Sequence, residues 1–287
     1  MKKFLLILTV ILSFVFYNCN PKQRTETLCC LADTIPMQCN EYNFFLFALK
    51  NAVINDSLQL NVFFDTGLPG KWIVVSDSLQ SELNRDSIFL QIGKTKMLME
   101  GVDFVESNRS NVFNVIGKNT IIAGWRFFEN KIIELSFDNQ YVLVHEKLPD
   151  ITEYSKTKID SSNYLFVTIE VVLQGKTIKD KAIIDTGAGS YASFSSEVIK
   201  KYDIDITDAY HGETMKANGL SRRYSLFVDT IKIGDLYVAK QRMRVGFEQG
   251  KRHKGVSLLG VRTLENFSVV LDLIDYNMYL KPLIQQE

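Results

Sequence analysis

Residues 61–67 read NVFFDTG and residues 181–187 read KAIIDTG, so Asp65-Thr66-Gly67 and Asp185-Thr186-Gly187 each close a short apolar run. One such tripeptide carries little weight, because Asp and Gly favour turns wherever they fall. Two copies in the same context set a different expectation. Two carboxyl groups held close together cannot both ionise cheaply, so one keeps its proton while the other acts as a base. A pair of that kind activates water with no metal and no cofactor.

A second repeat lies downstream. IIAGWRFFENKIIELSF (residues 121–137) matches SLLGVRTLENFSVVLDL (residues 257–273), and the offset is 136 throughout. It pairs Gly124 with Gly260, Arg126 with Arg262, Glu129 with Glu265 and Asn130 with Asn266. Apolar residues coincide as well: Phe128 with Leu264, Ile133 with Val269, Leu135 with Leu271. The Asp-Thr-Gly copies lie only 120 apart, which leaves sixteen additional residues between motif and glycine in the second half. Loop insertions of that size are thermodynamically cheap. The chain is an internal duplication with a change of loop length.

Apolar-apolar-Asp-Thr-Gly, followed by an apolar-apolar-Gly that opens a short helix and leads into a strand, resembles the retropepsin-like and pepsin-like aspartic proteases. LLGVRTLENFSVVLDLIDYNMYLKP (residues 258–282) is especially similar to the tail of bacterial retropepsin-like domains. The resemblance runs from about residue 42 to residue 282 and is tighter in the second half. It implies an all-β fold of two similar barrel-like lobes with a cleft between them, and an endopeptidase whose catalytic residues are Asp65 and Asp185. It implies that Thr66 and Thr186 brace the two loops across a pseudo-twofold axis. Gly67 and Gly187 then allow close approach where a Cβ would intrude, and Gly124 and Gly260 pass beneath the Asp loops.

The two loops differ. Asp185-Thr186-Gly187-Ala188-Gly189-Ser190 fits the family pattern, whereas Asp65-Thr66-Gly67-Leu68-Pro69-Gly70 brings a bulky residue and a proline that lacks an amide donor. Neither half has a hydroxyl directly after the glycine. Losing a donor to the ionised form leaves a carboxyl less acidic, which predicts activity nearer neutral pH. A noncatalytic peptide- or protein-binding relative of the same fold is the alternative that Leu68-Pro69 raises. Two further rivals are a phosphotransferase with apolar-apolar-Asp-x-Gly phosphate loops and a structural lipoprotein in which both motifs are plain turns.

Lys2 and Lys3 precede an apolar run over residues 4–16, then Tyr17-Asn18-Cys19. That reads as an export signal over residues 1–18, too short to span a membrane comfortably. Cys19 is the expected lipidation site, placing a bacterial lipoprotein in the cell envelope, facing the periplasm or cell surface. Residues 19–40 read as its tether, 41–148 as the first lobe, 149–163 as a linker and 164–287 as the second lobe. All four cysteines (Cys19, Cys29, Cys30 and Cys39) fall before the body of the chain, and Cys39 can pair with Cys29 or Cys30 in an oxidising compartment.

Lys plus Arg and Asp plus Glu balance at 33 each, so no broad basic field points to nucleic acid. The expected partners are a peptide or unfolded-protein substrate and, through the lipid, a membrane; the expected state is a monomer. The basic run 251–254 is assigned to the extra loop of the second half and reads as solvated. His145, His211 and His253 are scattered without metal-ligand spacing. The Arg126/Glu129 and Arg262/Glu265 pairs read as surface or packing features, Asn130 and Asn266 as helix ends, and Trp72 and Trp125 as core. Hairpins are expected to turn at Gly93-Lys94, Asp138-Asn139 and Gln174-Gly175-Lys176, with a helix over residues 194–202. A hairpin around Gly93 or around Asn218-Gly219 is expected to cover the substrate.

Overall fold

A strand buried on both faces needs a continuous apolar run, and residues 62–64, 121–123, 182–184 and 258–259 supply four of them. In the computed structural model, which describes residues 32–38, 48–83, 87–105, 113–117, 119–216, 219–245 and 256–283, these runs form the inner strands of two sheets. Leu31–Glu287 clusters as one compact unit.

The first half begins with β1 (Ala32–Gln38), β2 (Ala48–Ile54), β3 (Leu58–Asp65) and β4 (Trp72–Ser76). It continues with β5 (Ile88–Ile92), β6 (Thr95–Met99), β7 (Gly101–Val105), helix α1 (Phe113–Ile116), β8 (Thr120–Gly124), β9 (Ile132–Ser136) and β10 (Tyr141–His145). The second half begins with β11 (Ser155–Lys158), β12 (Asp160–Ser161), β13 (Leu165–Leu173), β14 (Lys176–Asp185), β15 (Ala192–Phe194) and helix α2 (Ser196–Lys201). Then come β16 (Tyr210–Lys216), β17 (Gly219–Ile233), β18 (Leu236–Val245), β19 (Ser257–Gly260), helix α3 (Val261–Leu264), β20 (Phe267–Asp272) and β21 (Asn277–Pro282). The protein is all-β.

The halves repeat one wiring. β3 runs parallel to β8 with Asp65 opposite Gly124, and β14 runs parallel to β19 with Asp185 opposite Gly260. β4 and β15 then lie antiparallel to β8 and β19 and parallel to β7 and β18. Between the halves six strands join in the order β11-β21-β20-β9-β10-β1. Glu134 faces Val270 at their centre, and those two residues are 136 apart, the spacing of the repeat. Ile133 opposite Leu271 and Leu135 opposite Val269 therefore exchange under a twofold axis through that central pair. The duplicated sequence builds duplicated geometry, and one large apolar cluster draws on both halves.

Local expectations hold at several places. Gln174 and Gly175 both take positive φ (52° and 71°), the tight two-residue turn that suits the twist of the β13–β14 hairpin. Ser195 caps α2 by accepting the Val198 amide, with Glu197 in the first turn and Lys200 and Lys201 in the last, each on the favourable end of the helix dipole. Asn130 ends its helical turn at φ 62°, and the Asn266 side chain donates to the Arg262 and Thr263 carbonyls.

Other expectations are corrected. Residues 32–38, read as tether, and 155–158, read as linker, are the two outer strands of the six-stranded sheet. The lone β-period of such short polar segments is too weak a signal to show pairing partners far along the chain. Trp72, read as core, is 48% exposed, while Trp125 is buried. The additional residues of the second half are also placed differently. Gly93 and Gly234, both at φ 59°, make equivalent turns that press on β1 at Asp33 and on β11 at Thr157. Nineteen residues separate Val74 from Gly93, but forty-one separate the equivalent Ser193 from Gly234. The extra length is the β16–β17 hairpin, upstream of the turn, and not the stretch holding 251–254. That basic run, the signal, Cys19 and the other cysteines, the start of the strand expected from Phe44, and Asn218 lie outside the described residues.

Candidate active site

β3 and β14 each end in an Asp loop, and the two loops meet. The Thr66 amide donates to Thr186 Oγ1 at 3.0 Å, and the Thr186 amide donates to Thr66 Oγ1 at 2.9 Å. Each hydroxyl then donates onward into the opposite half, Thr66 Oγ1 to the Ile184 carbonyl at 2.6 Å and Thr186 Oγ1 to the Phe64 carbonyl at 2.7 Å. Both threonines are fully buried. Four reciprocal bonds thus tie residues about 120 positions apart, and every polar atom of the brace is satisfied.

The glycines bring the carboxyls together. A Cβ on Gly67 would fall 2.7 Å from the Asp185 carboxyl carbon, and one on Gly187 would fall 2.5 Å from that of Asp65. Asp65 and Asp185 are in hydrogen-bond contact. Asp185 is buried, whereas Asp65 keeps some contact with solvent. Beneath them, a Cβ on Gly124 would meet the Leu68 carbonyl at 2.3 Å and one on Gly260 the Ser190 carbonyl at 2.0 Å. Substituting alanine at Gly187 is expected to leave the fold in place but push the Asp65 carboxyl aside. A displacement near 1 Å costs on the order of 100-fold in rate, so any activity of the pair should fall by that much while the melting temperature changes little.

Environment separates the two acids. Burial raises both carboxyls above the ordinary aspartate value. Asp65 is held back by its hydrogen bond from Asp185 and by the amides of Gly67, Gly187 and Leu68. Asp185 is pushed well up, by burial first, then by the negative charge of Asp65 and the bond to it, against the amides of Ala188 and Gly187. The pair therefore shares one proton, and the solvent contact of Asp65 together with the three amides that serve it favours the charge there and the proton on Asp185. Leu68-Pro69 does not spoil this arrangement, because Gly67 and Leu68 serve Asp65 as Gly187 and Ala188 serve Asp185.

The other repeated pairs have diverged. Arg126 Nη1 binds Glu129 at 2.6 Å and its Nη2 donates to the Ser162 carbonyl at 3.0 Å, while Trp125 Nε1 donates to the Asn163 carbonyl at 3.3 Å. These residues fasten the inter-half segment and do not touch the carboxyl pair. Glu265 is instead lifted to about 7 by burial, against the pull of Arg262. His145 bonds Glu134 at 2.9 Å on the six-stranded sheet, and His211 packs edge-on against Tyr224. Among the described residues no group of three or more His, Cys, Asp or Glu converges. A surface depression of about 370 Å³, rimmed by Lys158, Lys179 and Lys232, contains no residue of the carboxyl pair. No protein-family model matches the chain, and no curated protein matches it significantly.

Proposed function

We propose that the protein is an aspartic-type endopeptidase in which Asp65 and Asp185 activate water against a peptide bond, in the manner of the retropepsin-like enzymes that the sequence resembles. The observation that carries this reading is the meeting of two carboxyls, Asp185 buried and Asp65 half-buried, at a pseudo-twofold seam braced by Thr66 and Thr186. Ionised Asp65 takes a proton from the water as its oxygen bonds to the scissile carbonyl carbon. Asp185 gives its proton to the carbonyl oxygen, forming a neutral gem-diol. Collapse breaks the C–N bond; the amine leaves with the proton that Asp65 received, and Asp185 recovers one from the gem-diol hydroxyl. Both groups return to their starting state. An extended peptide suits the site, since strand-like substrate binds through its backbone.

The alternative of a noncatalytic binder rests on Leu68-Pro69, which leaves the amides to Asp65 in place. Of the two hairpins considered as covers, the Gly93 turn is pressed against Asp33 on β1, which removes it from that role. The export signal and Cys19 support a lipid-anchored position in a bacterial envelope.

Activity requires Asp65 ionised and Asp185 protonated, so the rate should follow a bell between the two apparent pKa values of the pair. Both are raised, and no hydroxyl follows either glycine. The pH profile of kcat/KM on a cleaved peptide is therefore expected to peak toward neutrality. An optimum below about pH 4, the ordinary aspartate range, would contradict this reading.

A further inference from the structure

Trp72 stands 48% exposed at the rim of the first Asp loop's sheet, where an aromatic ring is open to a ligand. We propose that Trp72 is a stacking platform for an aromatic side chain of the peptide, on one side of the cut bond; the identification of the ligand as a peptide rests on the hydrolase reading above.

Register places it beside the carboxyls. Ile73 lies opposite Ala123 and Val74 opposite Ile122, so one step back puts Trp72 opposite Gly124, which is itself opposite Asp65. Asp65, Gly124 and Trp72 stand in a row across three strands, about 10 Å end to end at ordinary strand spacing. Alternation fixes the face. Phe63 lies two residues before Asp65, Ile122 two before Gly124 and Val74 two after Trp72, and these three pack together in a small cluster apart from the main core. The indole therefore projects on the carboxyl side of the sheet.

A lone exposed aromatic means little, but this one has a built seat. Gly70, at φ 82°, and Gly101 leave the room it occupies: a Cβ on Gly70 would fall 2.0 Å from Nε1, and one on Gly101 3.3 Å from Cε3. Backbone thus supports both ends of the ring, while 48% of the residue stays open. An open indole face is flat and apolar, and stacks best on another aromatic ring. The second half carries a different aromatic at the equivalent place: Tyr191, opposite Gly260, whose carbonyl accepts the Gly260 amide at 2.9 Å. Its ring is half-buried against the main core, with the Arg262 guanidinium 6.0 Å from its centroid, so it presents less open face than Trp72. The aromatic preference should therefore be stronger on the Trp72 side of the cleavage point.

The full-length protein supplies two tests. In the Asp185→Asn protein, which leaves peptide uncut, tryptophan emission should shift to the blue on adding a phenylalanine-containing peptide, but not its alanine analogue. Trp125 is buried and does not respond, so the shift should vanish when Trp72→Phe is added. In the active protein, Trp72→Ala should lower kcat/KM for the aromatic peptide about tenfold relative to the alanine peptide, chiefly through KM, and Trp72→Phe should restore most of it. Equal emission shifts with both peptides, or an unchanged aromatic-to-alanine ratio in Trp72→Ala, would overturn the platform. If the wild type cuts nothing, the hydrolase reading falls, and the emission test still decides the role of Trp72.

Discussion

Asp185→Asn should lose peptide hydrolysis by about 10³-fold or more, the upper range for removing a positioned acid or base, and should melt at a higher temperature than the wild type at pH 7. The two effects share one cause. Asp185 is held well above the ordinary aspartate value by burial and by Asp65, so the folded protein binds that proton more tightly than the unfolded chain does. A raised carboxyl contributes stability that is present below the unfolded pKa and is lost as pH rises through the folded one. At neutral pH the wild type therefore carries a strained site, which the neutral amide relieves by an amount on the order of 1 kcal/mol. Below about pH 4 the two proteins should melt alike. Asp65→Asn should lose as much rate, and because burial raises its carboxyl too it should also melt higher than the wild type at neutral pH. Melting curves from pH 3 to pH 8 check this, and a variant less stable than the wild type at neutral pH would contradict it.

The second large effect concerns the brace. Thr186→Val keeps shape but removes the acceptor of the Thr66 amide and the donor to the Phe64 carbonyl, both in the buried seam between the halves. Each buried group left unpaired costs about 1–3 kcal/mol, so the variant, with two, should lose on the order of 2–6 kcal/mol in urea unfolding. That is a large share of the stability usual for a folded domain. Activity should fall with it, since the brace sets how the two carboxyls face each other. Thr186→Ser retains the hydroxyl and should stay near the wild type. A Thr186→Val protein with an unchanged urea midpoint would mean that the loops are held by something else.

The carboxyl pair was legible because duplication wrote it twice. A repeat with one fixed offset specifies a twofold arrangement, and the central Glu134–Val270 pairing falls on that same offset. Hairpins with local turn chemistry, such as that at Gln174-Gly175, were legible for a different reason: their partners are close in the chain. What escaped sequence reading depended on distant partners. The outer strands β1 and β11 look like polar connectors until β10 and β21 pair with them. Trp72 looks like a core residue, since nothing local shows that two glycines thirty-one residues apart, Gly70 and Gly101, form its seat. The Gly70 signal was present in the unusual Leu68-Pro69-Gly70 ending of the first loop. The inserted hairpin is not locatable from sequence, because an offset between motifs gives total length and not position; the matching turns at Gly93 and Gly234 locate it. Arg262 and Glu265 repeat Arg126 and Glu129 in letters, yet Arg126 and Glu129 close an ion pair at 2.6 Å whereas burial lifts Glu265 to about 7.

The most direct measurement is cleavage of a diverse peptide library by the full-length protein across pH, with products sequenced by mass spectrometry beside Asp65→Asn and Asp185→Asn. New peptide ends are expected from the wild type, most abundant toward neutral pH, and none from either variant. Cutting that survives in either variant, or a wild type that cuts nothing at any pH, would contradict it.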